Sequence, residues 1–379
     1  MKIGIMTFHN AENYGAVLQA YALKKYLQET HPSCQVDIVD YRCPLVEKSY
    51  QYFKPLSRFK HKGMKKLLSF LLQFYYFPRR VRVKGVFEAF VADFLEPQNN
   101  SFNEYDYAIY GSDQIWNPSI TGNDTAYFGK GFTGKKIAYA ASDGGELVFE
   151  KETISLLQDF HAISCREKSL SLNLGQYLTK NNVETVCDPV FLLSKEEWFS
   201  FARPPKERNY VLIYKISKNN DIDTEAESFA KKWGKQVIQI VYVKSVKKFL
   251  CFKQKFVWAI TPNEFVGYFA YTDFVFTTSF HGSAFSTILE RDFYTFQFAH
   301  RNERITDLFC EMELSERFVS HIPCYETLGE HAIDWTKVTQ KREEYRQRSV
   351  EFLNRSLEME INNVIDEYLK PLQQGVGNV

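Results

Sequence analysis

Residues 273–291 read DFVFTTSFHGSAFSTILER. A short apolar run, Phe274 to Phe276, stops at the small polar residues Thr277, Thr278 and Ser279, and helical spacing of apolar residues takes over near Ser283. Strand, polar turn and amphipathic helix in this order predict one α/β unit. In an open α/β sheet, the carboxyl end of a strand and the start of the next helix form a crevice where backbone N–H groups favour an anion. His281 and Gly282 fall at that turn. A glycine lets a ligand approach the backbone, and a histidine exchanges its proton near neutral pH. The competing reading of the same letters is a core imidazole packed beside a tight turn.

The same rhythm runs outward in both directions. Residues 2–8, 35–41, 105–110, 136–141, 162–165 and 183–187 read as strands, several followed by polar loops and helical patterns. Paired prolines and charge interrupt the pattern in the linker Arg203-Pro204-Pro205-Lys206-Glu207-Arg208, and from Tyr210 the alternation restarts. The expectation is an α/β protein of two Rossmann-like domains facing across a cleft: 1–203, with a basic-aromatic insertion at 48–87, and 209–330. The last segment, 331–379, reads as helical and long enough to clamp both halves. Its stripe is Val350, Leu353, Leu357, Ile361, Val364, Ile365, Tyr368 and Leu369.

Composition agrees with this size and narrows the function. At 379 residues, 45% hydrophobic and 25% charged, the chain suits two globular cores. A net charge of +1 predicts no nucleic-acid partner. Seven cysteines lack any CxxC pair or ligand spacing, which argues against structural zinc and disulfides and fits a reducing cytoplasm. The N-terminus reads as a strand rather than a signal sequence, and no run has the apolar length of a membrane span.

Charge is nevertheless uneven. Positions 48–87 hold Lys48, Lys54, Arg58, Lys60, Lys62, Lys65, Lys66, Arg79, Arg80, Arg82 and Lys84 with no Asp or Glu, around an aromatic centre. That pattern fits peripheral contact with an anionic lipid surface. The plainer alternative is a pair of solvated helices covering the sheet.

Other candidate groups emerge where strands end. Gly111-Ser112-Asp113-Gln114-Ile115-Trp116-Asn117-Pro118 follows a strand, so Asp113 stands where catalytic groups of α/β folds gather, or else closes an Asx-turn. Arg166-Glu167-Lys168 opens a helix in the same way.

Taken together, the chain resembles the polysaccharide pyruvyl transferase family. The residues carrying the resemblance are Asn13-Tyr14-Gly15-Ala16-Val17-Leu18-Gln19, the 111–117 loop, Arg166-Glu167-Lys168, Asp188-Pro189 and the run from Thr278 to Ser286. The resemblance implies a GT-B-like fold and transfer of pyruvate from phosphoenolpyruvate, as co-substrate without a cofactor or metal, onto a sugar as a ketal. Several branches carry an arginine that holds the donor two residues before the histidine; this chain has Ser279 there, and Arg304 is either the local substitute or a surface arginine opening a helix.

On this reading His281 and Asp113 are catalytic. Arg166, Ser279, Gly282, Ser283 and Arg304 hold the donor, and Asn13, Tyr14 and Trp116 meet the acceptor. The acceptor would be a polyprenyl-linked precursor of a cell-surface polysaccharide at the inner membrane face. Two rival expectations share the architecture: a GT-B glycosyltransferase using a nucleotide sugar, and a non-catalytic polysaccharide-assembly protein.

Overall fold

In a computed structural model, residues 1–51, 63–100, 102–145, 150–178, 182–216, 221–242, 253–297, 302–321 and 332–358 are described. Two parallel six-stranded sheets form the frame. The first contains β1 (Lys2–Met6), β2 (Gln35–Ile38), β3 (Tyr107–Tyr110), β4 (Lys135–Ala141), β5 (Ala162–Cys165) and β6 (Val183–Thr185), in the order β2-β1-β3-β4-β5-β6. The second contains β7 (Tyr210–Tyr214), β8 (Gln236–Ile240), β9 (Lys255–Val257), β10 (Phe274–Thr277), β11 (Phe293–Phe296) and β12 (Phe318–Val319), in the order β12-β11-β10-β7-β8-β9.

Central strands such as YAIY, YVLIY and FVFT are buried along their whole length. Helices cover both faces of a parallel sheet, so its strands are apolar throughout rather than alternating. The expected two-sheet, GT-B-like α/β architecture is therefore present. Strands β9 and β12 are additions to the sequence reading; with three and two residues they carry no measurable period.

One boundary differs from expectation. The helix after β10 is Phe280–Ile288, beginning three residues before Ser283, so His281 and Gly282 lie in its first turn. It is also buried on every side, with Trp198 meeting Phe285 edge-on at 5.0 Å. A helix enclosed in this way needs no polar face.

The two sheets share apolar packing. Tyr14, at the start of the helix Tyr14–Thr30, stacks on Phe265 of the second half at 4.4 Å and donates its hydroxyl to the Ile260 carbonyl at 3.0 Å. The helix Trp335–Ser356 touches both halves. Tyr345 donates to the Val186 carbonyl at 3.0 Å, Ser349 Oγ accepts from the Cys187 N–H at 2.9 Å, and Arg342 donates to the Ile288 carbonyl at 3.0 Å. Its expected continuation through Ile361, Val364, Ile365, Tyr368 and Leu369 lies outside the described residues.

The insertion contributes a helix, Gly63–Phe90, while Phe53, Lys54, Arg58, Phe59, Lys60 and Lys62 lie outside the described residues. Leu67, Leu71, Phe74, Tyr75 and Val81 are exposed on it, Phe74 by 55%. Their spacing puts them on one stripe. No described helix is long and apolar enough to cross a membrane.

Candidate active site

Strand order reverses between β1 and β3 in the first sheet, and between β7 and β10 in the second. Such switch points open a crevice at the carboxyl ends of the strands. Asp113, Arg166 with Glu167, and Asp188 leave the ends of β3, β5 and β6; His281 follows β10, and Arg304 lies in the helix Glu303–Met312 after β11. The two crevices meet where His281 lies against Gly15. A Cβ on Gly15 would stand 2.1 Å from the imidazole Nδ1.

Asp188 is the hub. Its Oδ1 accepts the Val190 N–H at 3.1 Å; its Oδ2 accepts from Arg166 Nη1 at 2.5 Å and lies 3.6 Å from His281 Nε2. Burial works against the Asp188 charge, but the facing His281, with Arg166 and the backbone donor, outweighs it and holds the carboxyl well below its ordinary range.

Arg166 is almost fully buried, and its Nε and Nη2 have no hydrogen-bond partner among the described residues. Burial disfavours its charge, yet Asp188, Glu167 and Asp113 together raise its affinity for the proton, so it stays cationic. Its guanidinium lies 4.9 Å from the centre of the Phe280 ring, and that of Arg304 lies 5.9 Å from the same ring. Burial first, and then the like charge of Arg166, push Arg304 below its ordinary value. Two cations gathered around one ring beside a helix start have the charge that can receive a multiply charged anion.

Glu167 and Gln114 tether Arg304. Its Nε is 3.8 Å from Glu167 Oε1, and the hydrogen-bond pattern orients the Gln114 amide oxygen toward Arg304 Nη1 and Nη2 at 3.1 and 2.9 Å. Glu167 is fully buried, accepts from Ser142 Oγ, and leaves Oε2 without a partner among the described residues. Burial pushes its carboxyl above the ordinary value. Asp113 sits in the left-handed region at φ 53°; its Oδ1 accepts the Gln114 N–H at 2.9 Å and lies 3.8 Å from Arg166 Nη2. The local turn and the approach to the arginine coexist in one carboxylate.

The structure gathers Asp113, Arg166, His281, Gly282 and Arg304, and separates others. Trp116 is fully buried, donates its indole N–H to the Tyr127 carbonyl at 3.0 Å and stacks on Phe128, so it fills the first core instead of meeting an acceptor. Tyr14 is likewise committed, as the strut between halves. Asn13 is exposed and caps its helix, accepting the Gly15 N–H at 2.9 Å. Ser283 cannot offer a free donor: its N–H bonds the Ser279 carbonyl at 3.0 Å and its hydroxyl faces Thr295 Oγ1 at 2.8 Å. Ser279 is the helix N-cap, its own N–H bound to Thr277 Oγ1 at 3.0 Å. Gly282 is required because a Cβ there would stand 2.2 Å from Thr277 Oγ1.

Sequence reasoning gave no role to Asp188, Glu167 or Gly15. Asp188-Pro189 reads as a turn, and its contacts with Arg166 and His281 join residues remote in sequence.

Residues 13–296 match a family model described as polysaccharide pyruvyl transferase. No curated protein matches the chain. Among solved structures, it is similar to the S. aureus MnaA–UDP co-structure, at 9% identity and a TM-score of 0.49, covering 95% of this chain and 97% of that one. It is also similar to the UDP-GlcNAc 2-epimerase from Neisseria meningitidis bound to UDP-GlcNAc, at 10% identity, a TM-score of 0.44 and 99% and 100% coverage. The E. coli heptosyltransferase WaaC with ADP-2-deoxy-2-fluoro heptose has 12% identity, a TM-score of 0.40 and 79% and 89% coverage.

Proposed function

Because this chain belongs to the polysaccharide pyruvyl transferase family, we propose that it moves pyruvate from phosphoenolpyruvate onto two hydroxyls of a sugar, forming a ketal during cell-surface polysaccharide assembly. The observation carrying this reading is the pair of guanidiniums, buried Arg166 and partly buried Arg304, around Phe280, directly beside His281. Phosphoenolpyruvate brings a phosphate and a carboxylate, and two cations, of which Arg166 has unpartnered donors among the described residues, suit that pair of anions.

In the reaction C3 of the enol gains a proton, the first hydroxyl adds to C2, the C2–O bond to phosphate breaks, and the second hydroxyl closes the ketal. Of the two hydroxyl protons, one balances the proton placed on C3 and the other leaves with phosphate. His281, held opposite Asp188, is the acid for C3, and Asp113 takes the proton of the attacking hydroxyl. Arg166 and Arg304 bear the charge that grows on the departing phosphate. Arg304 supplies the cation that Ser279 does not.

The acceptor is proposed to be polyprenyl-linked and met at the inner membrane face. The exposed stripe Leu67, Leu71, Phe74, Tyr75 and Val81, in a segment whose charges are all basic, supports that placement. The deciding experiment incubates the purified chain with phosphoenolpyruvate and lipid-linked sugars and seeks a product heavier by one pyruvyl ketal. Transfer from a nucleotide sugar instead would establish the glycosyltransferase reading and overturn this one.

A further inference from the structure

The side-chain amide of Gln114 stands between two hydrogen-bond donors. One end lies 3.1 and 2.9 Å from Arg304 Nη1 and Nη2, and the other lies 2.7 Å from Asn117 Nδ2. Asn117 cannot offer its oxygen in return, because Oδ1 caps the short helix Pro118–Thr121 by accepting the Ser119 N–H at 2.9 Å. An amide has one accepting end and one donating end, so a single Gln114 oxygen faces two donor groups. With that oxygen on Arg304, the Gln114 NH2 meets the Asn117 NH2. Turned over, the oxygen serves Asn117 and the NH2 meets the guanidinium. Turning the Asn117 amide as well only moves the conflict to the Ser119 N–H. Gly144 closes over the pair: a Cβ there would stand 2.4 Å from the Gln114 amide and 2.6 Å from Asn117 Nδ2.

This row of groups begins and ends on a donor, so one donor–donor contact survives in every arrangement. An acceptor arriving at the Arg304 end removes it. We infer that Gln114 is a two-position binding residue of the donor site: its oxygen holds Arg304 while the site is empty, and its NH2 donates to an anionic oxygen of the bound donor. The inference rests on the pyruvyl-transfer reading.

The exchange follows from the strengths of the contacts. A phosphate or carboxylate oxygen binds a guanidinium more strongly than a neutral amide oxygen does, so it displaces Gln114 from Arg304. The terminal torsion of a glutamine is broad and roughly two-fold, so the amide turns over at little cost. Its oxygen then takes Asn117 Nδ2, where the 2.7 Å contact already has hydrogen-bond length, and its NH2 points to the incoming anion. From the other side Arg304 is held loosely, 3.8 Å from Glu167 Oε1, so it can follow that anion. Gln114 thus restrains Arg304 in the empty site and adds a third donor group, beside Arg166 and Arg304, in the filled one.

The test is calorimetric titration of the full chain with phosphoenolpyruvate, inorganic phosphate and a nucleotide-diphosphate sugar, in wild type and in Gln114→Met, which keeps the length and loses both polar ends. Affinity for phosphoenolpyruvate and for phosphate should fall about tenfold, the loss of one hydrogen bond to a charged group. The melting temperature of the empty variant should not fall, since the donor–donor contact goes with the amide. A glutamine that only tethered Arg304 would compete with the anion, so Gln114→Met would then bind it as well as wild type or better. That result in folded protein overturns the inference. Gln114→Ala, with no long side chain to misplace, should show the same tenfold loss, and wild-type affinity there overturns the inference equally. If wild type takes up the nucleotide sugar but not phosphoenolpyruvate, a tenfold loss in Gln114→Met keeps the role of Gln114 and removes the pyruvyl donor. Phosphoenolpyruvate binding equally well to wild type and Gln114→Met does the reverse, and a wild type that binds none of the three anions overturns both.

Discussion

The imidazole of His281 occupies the space that a side chain on Gly15 would need, 2.1 Å from Nδ1 to the position of a Cβ. This contact joins the first helix of one half to the first turn of a helix in the other, so the position of the proposed acid depends on how the halves are docked.

Gly15→Ala tests that dependence. Alanine is the better helix former by about 1 kcal/mol, so propensity alone would stabilise the variant. The clash must instead displace His281 or the helix start. Turnover is expected to fall on the order of 10²-fold, the scale of a 1 Å misplacement at a reacting centre. A folded Gly15→Ala protein with normal turnover would remove His281 from the reaction.

Arg304→Gln separates binding from stability. Its charge is opposed by burial and by Arg166, so its removal relieves repulsion and should leave the melting temperature unchanged or higher. Donor affinity should drop about tenfold or more, corresponding to a lost charged hydrogen bond of roughly 1.5–3 kcal/mol. Calorimetric titration with phosphoenolpyruvate reads this directly, and unchanged affinity would exclude Arg304 from the donor site.

Asp188 and Glu167 predict opposite responses to pH. Asp188 is depressed in the fold, so its stabilisation is present above the unfolded carboxyl value and is lost as pH falls through the folded one. Glu167 is raised, so its contribution is full below the unfolded value and is lost as pH rises through the folded value. Glu167→Gln, which mimics the neutral acid, should therefore gain melting temperature relative to wild type toward pH 8 and gain least near pH 4. Parallel melting curves across that range would contradict the buried, raised carboxyl.

The contact surface proposed for lipid is tested by changing Leu71, Phe74 and Tyr75 together to serine. Wild-type protein should float with anionic vesicles and less so as salt rises, each basic residue near the surface contributing about 1 kcal/mol. The triple variant should float less at every salt concentration. Equal flotation of wild type on neutral and anionic vesicles would discard the charge argument.

How much of this is legible before folding depends on whether the signal is local. The strand 162–165 and the strand start at Tyr210 can be read to the residue, because apolar runs of a buried parallel strand end abruptly at polar loops. The start of the Phe280–Ile288 helix cannot: Ser279 makes no side-chain cap hydrogen bond, and burial on every face removes the amphipathic pattern. Arg166, His281 and Asp113 announce themselves by standing at strand ends. Asp188 does not, since its Val190 bond looks like an ordinary turn cap while its second oxygen reaches remote partners. Trp116 misleads for the converse reason: it follows a site loop in sequence, but the chain turns inward there and buries the indole.

His281 carries the last prediction, because packing and catalysis make different demands on it. If its ring only filled space against Gly15 and Phe280, His281→Ala would open a void, lower stability and leave activity proportional to the folded fraction. If it gives the proton to C3, turnover should fall roughly 10²–10⁴-fold in folded protein, while the melting shift with phosphoenolpyruvate persists through Arg166 and Arg304. Asp188→Asn then distinguishes the partner from the acid. It removes the negative charge facing His281 Nε2 at 3.6 Å, so turnover per folded molecule should fall. The same substitution also frees Arg166 from its ion pair, so donor affinity should not decrease. Turnover retained in folded Asp188→Asn and in folded His281→Ala would reduce this pair to packing.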